Sequence, residues 1–209
     1  MSGTMSRADL VADFKTSLHD AAGVFSATDD AELSRLLDVA ALDFGNIRPL
    51  LQSGTLTLSA DVASYSAPAG LVAYGWETWS AGKLPQPWEA TYPGVLPRVT
   101  LIGTPAARAL LFTPAPTAMH LAVLGSAFTY MYFAAHSISA TAASTTVAAA
   151  DRGLLILRAQ AEAMREMAMR NVGKPINRVD SGFSGTPRNG TPSHLFSVLM
   201  EEFRGAAAR

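Results

Sequence analysis

The chain has 209 residues, no cysteine, 49% hydrophobic and 16% charged residues, and a formal net charge of −1. That length can bury a full core, while the lack of cysteine excludes a disulfide framework and any thiolate metal site. Charge this sparse excludes a nucleic-acid-binding patch, Arg178, Arg188 and Arg204 being too scattered to form one, and calls for a surface that is uncharged or covered by neighbours.

The small net charge conceals an uneven distribution. Residues 1–90 carry 5 Lys/Arg against 11 Asp/Glu, residues 91–151 carry 2 against 1, and residues 152–209 carry 9 against 5. An acidic front and a basic rear suit head-to-tail contact between copies or with a partner. Scattered surface charge without such a role fits the numbers equally. Asp9, Asp13 and Asp20 interrupt the basic-then-apolar pattern of a secretory signal, so none is expected.

In chain order, residues 7–22 place Leu10, Val11, Phe14 and Leu18 on one helical face, with Gly23 as the stop. Thr28 is the expected cap of a second helix. Asp29, Asp30 and Glu32 stand in its first turn, where carboxylates complement the helix dipole. Leu33, Leu36, Leu37, Ala40, Ala41 and Phe44 form its apolar face, and the two helices read as an antiparallel hairpin. The period then changes to short β-type runs at 54–58, 63–66, 71–74, 98–102 and 109–113, predicted to form one small antiparallel set. A looser stretch, 75–97, holds Trp76, Trp79 and Trp88 and four of the twelve prolines.

Between Arg108 and Asp151 lie 42 residues without an ionised side chain other than histidine. Residues 119–135 approach the ~20 apolar residues that span a bilayer, but no Lys/Arg cluster flanks them. The reading is a buried central helix from Thr117, its cap, to about Ile138. A last long helix over 148–172 repeats Leu154, Leu157, Ala161, Met164 and Ala168 at 3, 4, 3, 4, ended by Gly173 and Pro175. Leu36, Phe44, Leu124, Phe128, Tyr132, Leu157 and Met164 are the expected core. Residues 174–193 have no hydrophobic period. Beyond them Thr191, Pro192 and Gly205 bracket a short amphipathic helix with Leu195, Phe196, Leu199 and Phe203 on one strip.

The expected fold is therefore α+β and mainly α. A bundle of about four helices (1–52 and 117–173) carries an inserted small antiparallel β subdomain with the Trp/Pro-rich loop (53–116). An extended C-terminal arm (174–209) ends in a short helix. A helix placed beyond an aperiodic segment is expected to serve another surface.

Chemical motifs are sparse. His19, His120, His136 and His194 form no metal-ligand spacing, and buried histidines with hydrogen-bond partners are expected at 120 and 136. No glycine-rich phosphate loop, dinucleotide fingerprint or nucleophile elbow occurs, so no catalytic, cofactor-binding or metal residue is assigned. Asn189-Gly190-Thr191 reads as a turn rather than a glycosylation site.

The order of elements resembles the head-to-tail adaptor (connector) proteins of tailed bacteriophages. The resemblance lies in residues 36–44 (LLDVAALDF), Tyr65-Ser-Ala-Pro68, Leu110 to Thr117 (LLFTPAPT), His136 with Asp151 and residues 154–170, and the tail 187–195 (PRNGTPSHL). The loop at 75–97 departs from the family pattern. The resemblance implies a virion protein at the neck, assembled in the host cytoplasm, without catalysis. It implies a ring, of about twelve copies, between the portal protein and tail or nozzle proteins, with DNA passing unread through its lumen and no membrane contact. It also implies that the arm docks on the portal, with Arg178, Arg188, Leu195, Phe196, Leu199 and Phe203 as the expected contacts. The alternative from the residues themselves is a small-ligand or carbohydrate-binding protein, or an enzyme, using the Trp-rich insertion. A membrane-associated protein built on residues 119–135 is the other.

Overall fold

Ser6 opens the first helix: its hydroxyl accepts the Asp9 amide, satisfying one of the donors that a helix start leaves free. The computed structural model describes residues 4–25, 30–170 and 191–207. The chain divides into two units, one formed by residues 1–48 and 136–209, the other by residues 49–135. The fold is α+β.

In the first unit, α1 (Arg7–Leu18) buries Leu10, Val11, Phe14 and Leu18, and a 3-10 turn follows over His19–Phe25. The second helix, α2 (Ala31–Ile47), buries the six apolar residues its sequence period marks out. Thr28 lies outside the described residues. Asp30 holds the cap position instead, in a left-handed conformation, with its carboxylate 2.6 Å from the Lys15 ammonium.

The β unit holds β1 (Leu50–Thr57), β2 (Ser64–Ser66), β3 (Leu71–Glu77), β4 (Arg98–Thr104) and β5 (Ala107–Thr113), then α3 (Ala118–Leu124) and β6 (Ala127–Ala134). The long apolar helix expected from Thr117 to Ile138 is therefore not one helix. Thr117 does cap a helix, with a reciprocal box in which His120 is the third residue, but that helix stops at Gly125, which has positive φ. The following AFTYMYFA is a strand because its aromatic and β-branched side chains suit a pleated surface better than a helix turn. Residues 117–135 thus belong with the insertion and not with the helices.

Two three-stranded antiparallel sheets result, ordered β1-β6-β3 and β2-β5-β4, rather than one set. Their shared core contains Leu58, Leu71, Trp79, Leu110, Phe112, Leu124, Phe128, Tyr130 and Tyr132. Phe112 of β5 meets Phe128 of β6 edge-on, with centroids 4.9 Å apart. Leu50 and Ala134, the first residue of β1 and the last of β6, are paired directly across the ladder.

The chain returns to the helical unit through His136, and α4 (Arg152–Arg170) crosses it. The face α4 buries is centred on Leu155, Ile156, Ala159, Ala163 and Met164; Leu154 and Leu157, expected in the seam, are only partly buried. The expected core thus separates into two. Leu36, Phe44 and Met164 lie in the helical core with Leu157 packed against it, whereas Leu124, Phe128 and Tyr132 lie in the β core.

The last helix, α5 (Pro192–Ala207), begins at the expected proline, runs through Gly205 rather than stopping there, and packs on α4 of its own unit. Phe203 is 1% exposed in the helical core, and Phe196 and Leu199 pack against it. The helix expected on another surface is therefore folded back. Its sequence strip is matched by an apolar groove within the same unit, and burying it there needs no partner.

Candidate interaction surface

The charged side chains are mostly engaged inside the helical unit. Arg152 bonds Asp13 of α1 through Nε at 2.8 Å, and Arg158 bonds Asp43 of α2 through Nε at 2.9 Å. Arg158 also reaches Glu162, which is fully buried and faces Arg165 as well. Arg170 holds Glu32 at 2.9 Å, and Arg35 pairs with Glu166, an interaction that raises the guanidinium pKa. The excess of carboxylates at the front of the chain and of arginines at the rear is thus paired within one molecule. It supplies no charge complementarity for head-to-tail contact, contrary to one reading of the sequence.

Arg48, at the end of α2, donates from Nη1 to Asp151 at 2.6 Å and from Nε to the Ala207 carbonyl at 3.1 Å. It thereby serves the last turn of α5, where carbonyls lack helical partners. His136 reaches the Arg48 carbonyl through Nε2 at 2.9 Å and Thr146 Oγ1 through Nδ1 at 3.2 Å. In the β unit, Nδ1 of His120 accepts the Thr117 amide at 3.1 Å, so Nε2 carries the proton and donates to the Val95 carbonyl at 3.1 Å. Both histidines are buried and hydrogen-bonded, as the sequence implies. Among the described residues no group of three His, Cys, Asp or Glu could hold a metal ion, and no helix is long and apolar enough to cross a membrane.

The three tryptophans have different surroundings. Trp79 is buried, donates from Nε1 to the Gly125 carbonyl at 2.9 Å, and packs edge-on against Phe128. Trp76 is half exposed on β3, and Trp88 is 81% exposed. They do not converge on a pocket. The cleft of about 460 Å³ in this unit is formed by residues 66–72, 105–108 and Ala135, with no tryptophan in its lining.

The segment that carries Trp88 is held from several sides. Glu77 accepts the Ser80 amide at 2.9 Å, Lys83 Nζ donates to the Leu124 carbonyl at 3.4 Å, and Glu89 accepts the Gln86 amide at 3.1 Å. The Tyr92 amide donates to the Glu89 carbonyl at 3.0 Å. With His120 bound to Val95 as well, every ionised side chain from 77 to 95 has a local partner. What the loop presents to solvent is apolar: Trp88 and Val95, the latter 77% exposed, beside Leu84.

A second apolar surface lies on the outer face of the β1-β6-β3 sheet. The register pairs Leu51 with Phe133, Ser53 with Met131 and Thr55 with Thr129 on one side of β6; Ala73 faces Phe133 and Trp76 faces Met131 on the other. Directly opposed residues share a face, so these eight side chains lie together, none of them charged. Leu51 is 43% exposed, as is Trp76 at 50%. The inner face carries Tyr74, Tyr130 and Tyr132. Burial, then the nearby Glu77 and Tyr130, push the Tyr74 hydroxyl up to about 12, and burial raises Tyr130 likewise.

Of the residues expected to contact a partner, Arg178 and Arg188 lie outside the described residues. Phe203, Phe196 and Leu199 are brought together, but against their own unit, and Leu195 is at the rim, 36% exposed. Phe203 is thus corrected from a free anchor to a core residue, because its ring fills the groove that α5 occupies. The outer sheet face is not legible from a helical reading of 119–135. Its signal is the alternation of Phe128, Tyr130 and Tyr132 with Thr129, Met131 and Phe133, which an apolar residue on nearly every position conceals.

No family model and no curated protein matches the chain. Among solved structures, one similar chain belongs to the virion of a native gene transfer agent (GTA) particle. It has a TM-score of 0.30 and 15% identity, covering 90% of this chain and 87% of that one.

Proposed function

We propose that this chain is a structural virion protein, a head-to-tail adaptor that assembles as a ring between portal and tail, around the channel through which DNA passes. The observation that carries this reading is the surface of the β unit. An ordered loop and a regular sheet hold Trp88, Val95, Trp76 and Leu51 in solvent while the charged side chains are engaged internally. Large apolar side chains held out on ordered elements mark surfaces made to be covered by protein. The element order and the residues that resemble the adaptor family support the same role. We assign it no reaction, cofactor or metal.

In this reading the portal contact uses the open side of α5, where Leu195 and Val198 are exposed, together with the segment before it, which contains Arg178 and Arg188. Co-sedimentation of the purified chain with portal-bearing particles tests the role. Several copies per portal ring are expected, and removal of residues 174–209 is expected to abolish loading. Because α5 is part of the helical core, that deletion also lowers the melting temperature. The paired Leu195→Asp and Val198→Asp variant, which leaves Phe203 in place, separates the two effects. Particles that recruit no wild-type chain would refute the role.

A further inference from the structure

We propose that the Trp88 loop of one copy packs on the outer face of the β1-β6-β3 sheet of a second copy, forming a heterologous contact between neighbours. This rests on the assembly reading above and names the surfaces it uses. Two features of the chain carry it. The loop is a protrusion whose ionised groups Glu77, Lys83 and Glu89 are each bound locally, leaving Trp88 and Val95 as its chemistry toward solvent. The sheet face is a flat surface with Leu51, Phe133, Met131 and Trp76 at its centre and no ionised side chain on the paired positions.

The charge inventory selects the occupant. A nucleic acid would require Lys or Arg, and neither surface offers one free. A partner with charged contact residues would leave them desolvated and unpaired on either surface. An uncharged apolar protrusion is what the face accommodates, and an uncharged apolar face is what the protrusion accommodates. Every copy carries one of each. Because the two surfaces are different parts of the molecule, the contact is head-to-tail and propagates from copy to copy, closing into a ring if its rotation permits. Tryptophan supplies much contact area at low entropic cost, so Trp88 is the anchor and Val95 its neighbour.

The test uses the full chain in complementary variants. Trp88→Asp disables the loop and leaves the face intact; Leu51→Lys disables the face and leaves the loop intact. Both positions are exposed, so neither change should lower the melting temperature, and Trp76→Lys serves as a second face variant. Association is followed by sedimentation velocity and light scattering, in solution and on portal-bearing particles. Wild type should associate beyond the dimer, and each variant alone should associate at least about tenfold more weakly, the loss typical of an anchor residue. An equimolar mixture of the two variants should form a discrete dimer that does not grow, since it retains one intact loop and one intact face. Tryptophan emission should shift to the blue in that mixture.

A mixture that stays monomeric while wild type assembles would overturn the proposal, as would a Trp88→Asp chain that assembles like wild type. In either case loading of wild type onto portal particles would leave the adaptor role standing. A wild-type chain that neither self-associates nor loads would remove both. Assembly abolished by Trp88→Asp but untouched by Leu51→Lys and Trp76→Lys would also overturn it, since the loop would then dock elsewhere.

Discussion

Tyr74 shows how one buried side chain sets a limit on the stability of the β unit. Its hydroxyl is held neutral to about 12 by burial, with Glu77 and Tyr130 adding to the effect. A tyrosine in the unfolded chain ionises near ~10. The raised folded value means that the contribution is fully present below pH ~10 and is lost as pH climbs from there toward 12. Absorbance of tyrosinate should therefore lag behind that of free tyrosine, and alkaline melts should show the loss beginning at pH ~10; a normal titration would show that the ring is not buried. Gly103 is a second residue on which the unit depends. Its φ is +93°, and a Cβ there would lie 2.2 Å from the Ala107 carbonyl oxygen. Gly103→Ala should destabilise the β4–β5 hairpin by ~1–3 kcal/mol in a denaturant melt.

Individual elements behave according to how much of their pattern is local. The positions α1 and α2 bury could be read directly, because each helix presents a single apolar stripe to one core. The capping box of α3 was equally legible in Thr117 and in the break that follows Leu124. The strand β6 was not. A central strand buried against one sheet and carrying Met131 and Phe133 on its other face is apolar throughout, and such a run does not reveal its period. The destination of α5 was hidden for a different reason, since an amphipathic helix specifies a groove without specifying which molecule carries it. Phe203 resolves the matter within the helical unit. Phe203→Ala should cost ~3–5 kcal/mol as a buried aromatic truncation, measured by denaturant unfolding. An unchanged melt would mean that α5 does not occupy that groove in solution. The candidate surface on the β unit was legible only in part, through Trp88 among its prolines, because the face around Met131 becomes visible only once the register is known.

At the scale of the whole chain, two separate cores imply that damage to one is not automatically damage to the other. Phe128→Ala removes a ring that meets Trp79 and Phe112. It should lower amide-exchange protection in β1, β3 and β6 far more than in α2 and α4, and uniform loss of protection would contradict this division. The paired ends of the β unit lead further. Leu50 stands opposite Ala134 on the first rung of the ladder, a position where two strands lie only ~5 Å apart. The chain therefore leaves the helical unit and returns to it through almost the same point, and a two-residue turn could bridge the gap. The β unit is in this sense a removable cassette. A chain joining Arg48 to His136 through Gly-Gly should retain its helical circular dichroism and a cooperative melt while lacking the Trp88 loop and the sheet face altogether. The same junction could accept a foreign domain whose own termini lie side by side, turning a component made for contact into a carrier for other cargo.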